Sequence, residues 1–143
     1  MSALRSEHAL ACLTQAHFSP LPYEVDFTGF LSNTVAVTWL ERLRVQLMVE
    51  HFSDLDIYAP QNLSVIARTE VDYLKPVRLT DCLEAQAYVA RCLSASWTVN
   101  FSFRHAITGQ EHLRATQVGV FLDPFNLTPI RMPPQIRQRV AAL

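Results

Sequence analysis

The sequence predicts an α+β domain in which a five-stranded antiparallel sheet curls around one long, largely enclosed helix, and three observations carry that expectation. The stretch from Val35 to His51 contains neither glycine nor proline and places apolar residues at 36, 40, 43 and 47, the spacing of one helix face. From Ser64 onward the pattern changes to alternation of apolar and polar residues, the mark of strands with one buried face. The chain has 143 residues, half of them hydrophobic, which suffices for one real core. No linker, internal repeat or low-complexity tract divides it, so residues 1–143 read as a single domain.

Taken in order, Met1 to His17 reads as a short helix. Pro20 and Pro22 then forbid helix and allow only an extended edge segment, so Leu21 to Asp26 is expected to be a first, short strand. Phe27, Thr28 and Gly29 make a turn, with the glycine free to take an unusual backbone angle. Ser32, Asn33 and Thr34 are capping-type residues ahead of the long helix. Val35, Val37, Trp39 and Met48 make that helix apolar beyond a single stripe, so the fold should enclose it. At 1.5 Å per residue, about 18 residues span roughly 27 Å, the width of a small domain.

Ser53 to Asn62 reads as a loop. The next strand carries Val65, Ala67, Thr69, Val71 and Tyr73 on one face and Arg68, Glu70 and Asp72 on the other, and Pro76 ends it. Leu83, Ala85, Ala87 and Val89 alternate with Glu84, Gln86 and Tyr88, and Trp97, Val99, Phe101 and Phe103 with Thr98, Asn100, Ser102 and Arg104. The joints at 78–81, 94–96 and 108–110 are short enough for hairpins, which predicts an antiparallel meander. A last strand runs from about Leu113 to Leu122, and Pro133-Pro134 introduces a short closing helix.

Composition narrows the function. Twelve basic and thirteen acidic side chains nearly cancel, and Lys75 is the sole lysine, so no cationic field is expected to hold nucleic acid or an anionic membrane. Cys12, Cys82 and Cys92 are odd in number and far apart, which points to buried reduced thiols rather than zinc or a disulfide framework. The longest N-terminal apolar run, Leu10 to Leu13, is too short for a signal peptide, and no stretch approaches the roughly 20 apolar residues of a membrane span. The expected setting is the cytoplasm. Gly-x-Ser-x-Gly, phosphate-loop and dinucleotide fingerprints are absent from the sequence.

One constellation carries chemistry. Asp26-Phe27-Thr28-Gly29 is followed by Asn33 at the helix start and then by Trp39-Leu40-Glu41-Arg42-Leu43-Arg44. This Asp-x-x-Gly, helix start and aromatic-x-Glu-x-x-Arg order resembles the 4-hydroxybenzoyl-CoA thioesterase and YbgC-like group of hotdog-fold proteins. The run Val71-Asp72-Tyr73-Leu74-Lys75-Pro76-Val77-Arg78-Leu79-Thr80-Asp81 looks like the strand-plus-turn signature of the same group, and Leu122-Asp123-Pro124 with Pro129 and Pro133 resembles its carboxyl end. The likeness spans nearly the whole chain from about residue 21.

The resemblance implies a hotdog fold and hydrolysis of an acyl-CoA thioester without a metal or organic cofactor. A thioester carbonyl under attack becomes an oxyanion, and the free N–H groups of a helix start are fixed donors with the favourable end of the helix dipole behind them. The backbone N–H of Asn33 is the candidate donor, and Asp26 the candidate nucleophile or general base. Gly29 and Phe30 should shape the substrate pocket. By resemblance, the protein is a homodimer or homotetramer in which the strand bearing Arg68 and Thr69 pairs with its copy and borders the partner's site, so Thr69 is a candidate for touching substrate or orienting water. Glu41 and Arg44, i,i+3 neighbours on the helix, form an ion pair or help shape the pocket. Arg68, Arg78 and Arg104 are candidates for the phosphates of CoA, because guanidinium forks suit that task. Phe30, Trp39 and Phe52 are large enough to limit an acyl tunnel or stack on an aromatic acyl group. His105 and His112 are expected to be exposed beside a hairpin.

This chain departs from the group at Glu24-Val25, where relatives often have Asp-Thr, at Phe30, where many have histidine or a small apolar residue, and at Ala36, commonly tyrosine. His17-Phe18 resembles the start of hotdog dehydratases acting on acyl carrier protein, but the helix acid of that family falls here on Leu31. Two other functions stay open from sequence: a thioesterase acting on acyl groups held by acyl carrier protein, and an acyl-binding hotdog module without turnover.

Overall fold

A computed structural model describes residues 10–141 of the chain. Five strands form one sheet: β1 (Ala11–Phe18), β2 (Ser64–Tyr73), β3 (Leu83–Cys92), β4 (Ser96–His105) and β5 (Glu111–Phe121). The long helix α1 (Asn33–Phe52) lies against β1 and β3, and a short helix α2 (Pro134–Ala141) closes the chain. The spatial order is β1-β3-β4-β5-β2, with every pair antiparallel. This is the hotdog architecture that the helix and the alternating strands predicted.

Three expectations are corrected, two of them before the long helix. Ala11–Phe18 is a strand, not a helix, and residues 1–9 lie outside the described residues. Its register is set by a period of two: Thr14 and Phe18 are buried, while Gln15 and His17 between and beside them are exposed. A bulge near Cys12, whose φ is 56°, hides that alternation at the strand's start. The segment read as a first strand, Leu21 to Asp26, is instead a single 3-10 turn over Pro22–Glu24 followed by an isolated bridge between Val25 and Leu31.

The third correction concerns the meander. β3, β4 and β5 follow one another as hairpins, but the joint at 78–81 does not fold β2 onto β3. Instead β2 crosses the molecule and pairs with β5, leaving β1 to pair with β3. A short joint licenses a hairpin without requiring one, and here the Pro76 segment turns away to serve the pocket described below.

Packing explains the centre of the sheet. Ala85 and Ala87 stand opposite Phe103 and Phe101, so small residues make room for rings under the helix. Trp39, Leu40, Leu43 and Leu47 of α1 come down onto this surface, and all are essentially inaccessible to water. Each such side chain contributes about 1.5–3 kcal/mol by burial. The polar faces at 98, 100 and 102 remain half open, as their alternation requires.

β2 is different. Nine of its ten residues are exposed and Val71 alone is half-buried, although the strand is rich in Val, Ile and Ala. It is also an edge strand with one free row of backbone groups. Among the described residues, no helix is long and apolar enough to cross a membrane.

Candidate active site

The site begins with a small closed loop between the prolines and α1. Asp26 N–H donates to the carbonyl of Phe30 (2.9 Å), and Gly29 N–H donates back to the carbonyl of Asp26 (3.0 Å). Gly29 has φ of 84°, the left-handed region where a side chain is strained. Leu31 N–H is held by the carbonyl of Val77 (2.7 Å) and Ser32 N–H by the carbonyl of Glu24 (2.9 Å). The loop is therefore fastened on one side to the segment after β2 and on the other to its own beginning.

Within it the Asp26 carboxylate is exposed, with one oxygen, Oδ1, accepting the Thr28 N–H at 2.8 Å and the Thr28 hydroxyl. The hydroxyl, and after it the amide, hold this carboxyl below the usual aspartate range, so it is charged at neutral pH.

Facing it is the start of α1. The N-cap Ser32 has extended backbone angles, φ −64° and ψ 136°, yet its side chain caps no amide and pairs with the Thr34 hydroxyl at 3.0 Å. Val35 and Ala36 donate to the Ser32 carbonyl, while the amides of Asn33 and Thr34 have no backbone acceptor among the described residues. Such orphan donors carry the positive end of the helix dipole. Tyr73 at the end of β2 donates its hydroxyl to the Asn33 carbonyl at 3.0 Å, tying strand to helix start.

Asp26 and Asn33 line one open pocket of about 180 Å³, whose apolar wall includes Phe30, Leu31, Ala36, Val77 and Leu113. The lining thus offers a fixed carboxylate, the helix-start residue Asn33 with its free amide, and a lipophilic surface. That is an arrangement for an uncharged carbonyl group attached to an apolar tail.

The other sequence candidates are spread out. Phe30 lines the pocket and Gly29 shapes the turn beside it. Glu41 is exposed and 3.5 Å from Arg44, whose guanidinium also donates to the buried Gln117 side chain, and Gln117 in turn donates to the Thr69 hydroxyl at 3.2 Å. The hydroxyl of Thr69 therefore bonds a side chain rather than backbone, and this network does not reach the pocket within one subunit. Arg68 is exposed and pairs with Glu70 at 2.9 Å. Arg104 lies 3.9 Å from Glu111, and Arg78 borders the site through a backbone bridge to Phe30.

Trp39 and Phe52 belong to the core, Trp39 packed against Phe18 and Phe103 and Phe52 against Trp97, so of the three large rings only Phe30 borders the pocket. His112, expected outside, is 2% exposed. Its Nδ1 donates to the Pro76 carbonyl at 3.1 Å and its own carbonyl accepts the amides of Leu74 and Lys75, so it pins the pocket's far wall. Burial pushes its pKa down. His105 is half-buried, 3.5 Å from Asp81.

Sequence reasoning missed Thr28, Tyr73, Val77 and Leu113 as site residues. Tyr73 and Val77 sit inside the 71–81 signature, which was the available signal. Leu113 had none, because only the β5 register brings it there. Among the described residues, no cluster of three or more His, Cys, Asp or Glu gathers as a metal site.

The comparisons agree with this architecture. The model of the thioesterase-like superfamily matches residues 20–140. A predicted thioesterase from Bacillus stearothermophilus superposes with a TM-score of 0.78 at 22% identity, covering 91% of this chain and 95% of that one. A thioesterase from Thermus thermophilus in complex with coenzyme A and zinc gives 0.76 at 21% identity, covering 94% and 95%. Slr0204, a 1,4-dihydroxy-2-naphthoyl-CoA thioesterase from Synechocystis, gives 0.79 at 11% identity, covering 92% and 97%. No curated protein matches the chain by sequence. With the hotdog sheet, the enclosed helix and the family match running from before the Asp26 loop to the closing helix, the chain belongs to the thioesterase-like superfamily, and its reaction class is thioester hydrolysis.

Proposed function

We propose that this protein hydrolyses acyl-CoA thioesters to a carboxylic acid and CoA, with Asp26 as nucleophile or general base and the Asn33 amide as oxyanion donor. The observation that carries the reading is the shared pocket: the charged Asp26 carboxylate and Asn33, whose amide is unspent in the helix, line the same space. In the base route Asp26 takes a proton from water, the hydroxide adds to the carbonyl, and collapse of the tetrahedral oxyanion breaks the C–S bond. The thiolate then takes that proton. In the nucleophilic route the carboxylate adds directly, thiolate leaves, and water opens the resulting anhydride. Coenzyme A in the Thermus relative and the naphthoyl-CoA substrate of the Synechocystis relative support CoA as the carrier.

A second copy completes the site in this reading. β2 is exposed on both faces and carries Val65 and Ile66 at its surface, so it pairs with β2 of a partner, bringing Arg68 and Thr69 toward the partner's pocket as phosphate and substrate contacts. Cys12, Cys82 and Cys92 are all free thiols, which suits a reducing compartment such as the cytoplasm.

Thiol release across short, long and aromatic acyl-CoAs tests the activity. Asp26→Ala should lose about 10²–10⁴ in kcat. Asn33 is the first helical residue, where proline is tolerated and has no N–H to lose from the helix ladder. Asn33→Pro should therefore cost about 10² in kcat with the helix intact, and Asn33→Ala, which keeps the amide, little. Full rates in both Asp26→Ala and Asn33→Pro would sink this mechanism. Turnover only of carrier-protein esters would move the substrate to acyl carrier protein, and ligand binding without thiol release would make the protein a binding module.

A further inference from the structure

Glu24 is a buried carboxylate, 9% exposed, and among the described residues no Arg, Lys or His comes within ion-pairing range of it. A buried charge without a counter-charge is costly unless hydrogen bonds replace its lost hydration. Two do. Leu21 N–H donates to Oε1 at 2.8 Å and the Trp39 indole N–H donates to Oε2 at 3.4 Å. The main chain of the same residue closes a third link, since its carbonyl accepts Ser32 N–H at the helix cap.

These links converge on the site from behind. Asp26 lies two residues after Glu24, and Asn33 one residue after Ser32, so the spacing between carboxylate and amide is set through Glu24. Trp39 is wholly buried, with ring centroids 5.1 Å from Phe18 and 5.9 Å from Phe103, and so belongs to the stiffest part of the core. A looser turn between two prolines and a glycine would otherwise let Asp26 wander, and a displacement of about 1 Å costs on the order of a hundredfold in rate.

We infer that the buried Glu24–Trp39 pair is a positioning bracket that clamps the Asp26 loop to the core and holds its carboxylate at a working distance from the Asn33 amide. This rests on the proposed roles of Asp26 and Asn33. Neither bracket residue touches substrate; both act through Asp26.

A double-mutant cycle tests it, using Glu24→Gln, Trp39→Phe and the double variant in the thiol-release assay, beside Asp26→Ala. Glutamine has nearly the same volume but only one acceptor oxygen, so it can serve Leu21 or Trp39 and not both. Each single variant should lower kcat about fivefold to tenfold while KM stays within about twofold, as expected when alignment rather than binding is lost. The loss in the double variant should be clearly smaller than the product of the two single losses, because both variants disturb the same bracket. Wild-type kcat in folded single variants, losses that multiply in the double, or a raised KM at unchanged kcat would each overturn the inference. Loss of cooperative melting in Glu24→Gln would overturn it too, because a local bracket should leave the sheet standing. If Asp26→Ala itself keeps full rate, the site assignment fails; if it is inactive while the bracket variants are normal, only the bracket fails.

Discussion

The Asp26 corner and the β2 edge stand in contrast. At the corner nearly every polar group has an internal partner: Thr28, Glu24, Ser32 and Val77 together fix one loop, and the unspent donors are the helix-start amides of Asn33, which lines the pocket, and Thr34. At the edge nine of ten residues are exposed, and polar contacts reach inward through Thr69 to Gln117 and Arg44. The corner is closed on itself, whereas β2 is stitched to β5 along one side and left open on the other. In the proposed roles, a catalytic carboxylate needs pre-positioning, while a strand that pairs with a second copy needs its outer groups free.

The largest effect should come from closing that open side. Val65→Lys with Ile66→Lys places like charges on the exposed part of β2 without touching the core. If β2 pairs with its copy as proposed, sedimentation should then show monomer in place of dimer, and thiol release should fall about a hundredfold with the loss of the partner's contacts. A monomeric variant at full rate would mean that the corner suffices alone.

Gln117→Leu cuts the stitch between edge and helix. Gln117 is 2% exposed and serves both Arg44 and Thr69, so losing these bonds should cost about 0.5–1.5 kcal/mol each in chemical denaturation. Kinetics of a preparation corrected for folded fraction should change less. An unchanged denaturation midpoint would show that the network contributes nothing.

Thr28→Val probes the corner alone. The Thr28 hydroxyl is the largest cause of the depressed Asp26 pKa, so its removal raises that pKa and moves the acid limb of kcat/KM to higher pH. A limb that stays in place would show that another group controls it.

The smallest effect joins the two regions. His112, buried at the end of β5, holds Pro76 where β2 runs into the pocket wall, and burial depresses its pKa. The unfolded chain takes up this proton near pH 6.5. The stabilisation from a neutral His112 is therefore full above that value and is lost as pH falls through the lower folded-state value. His112→Asn should flatten this part of the stability profile, and equal slopes in both proteins would assign the effect elsewhere.

Local chemistry was legible because it repeats in short windows. The long helix, the alternation of β3 and β4, the turn at Gly29 and the order Asp26, Asn33, Trp39 all follow from spacing over a few residues. β1 escaped notice because a bulge at Cys12 masks the first half of its alternation, and His112 because a polar residue near a hairpin reads as exposed until the 74–77 segment is laid over it.

By itself, then, the sequence determined the long helix and the four strands that follow it, where the helix starts and which acid stands beside that start. Only the tertiary structure decided that β2 pairs with β5 rather than β3, that Trp39 and Phe52 go to the core while Phe30 faces the pocket, and that Glu24 lies buried behind Asp26. The reason is physical. Helix spacing and strand alternation are properties of consecutive residues, but the choice of strand neighbour and the burial of one polar group depend on how distant segments divide a single core.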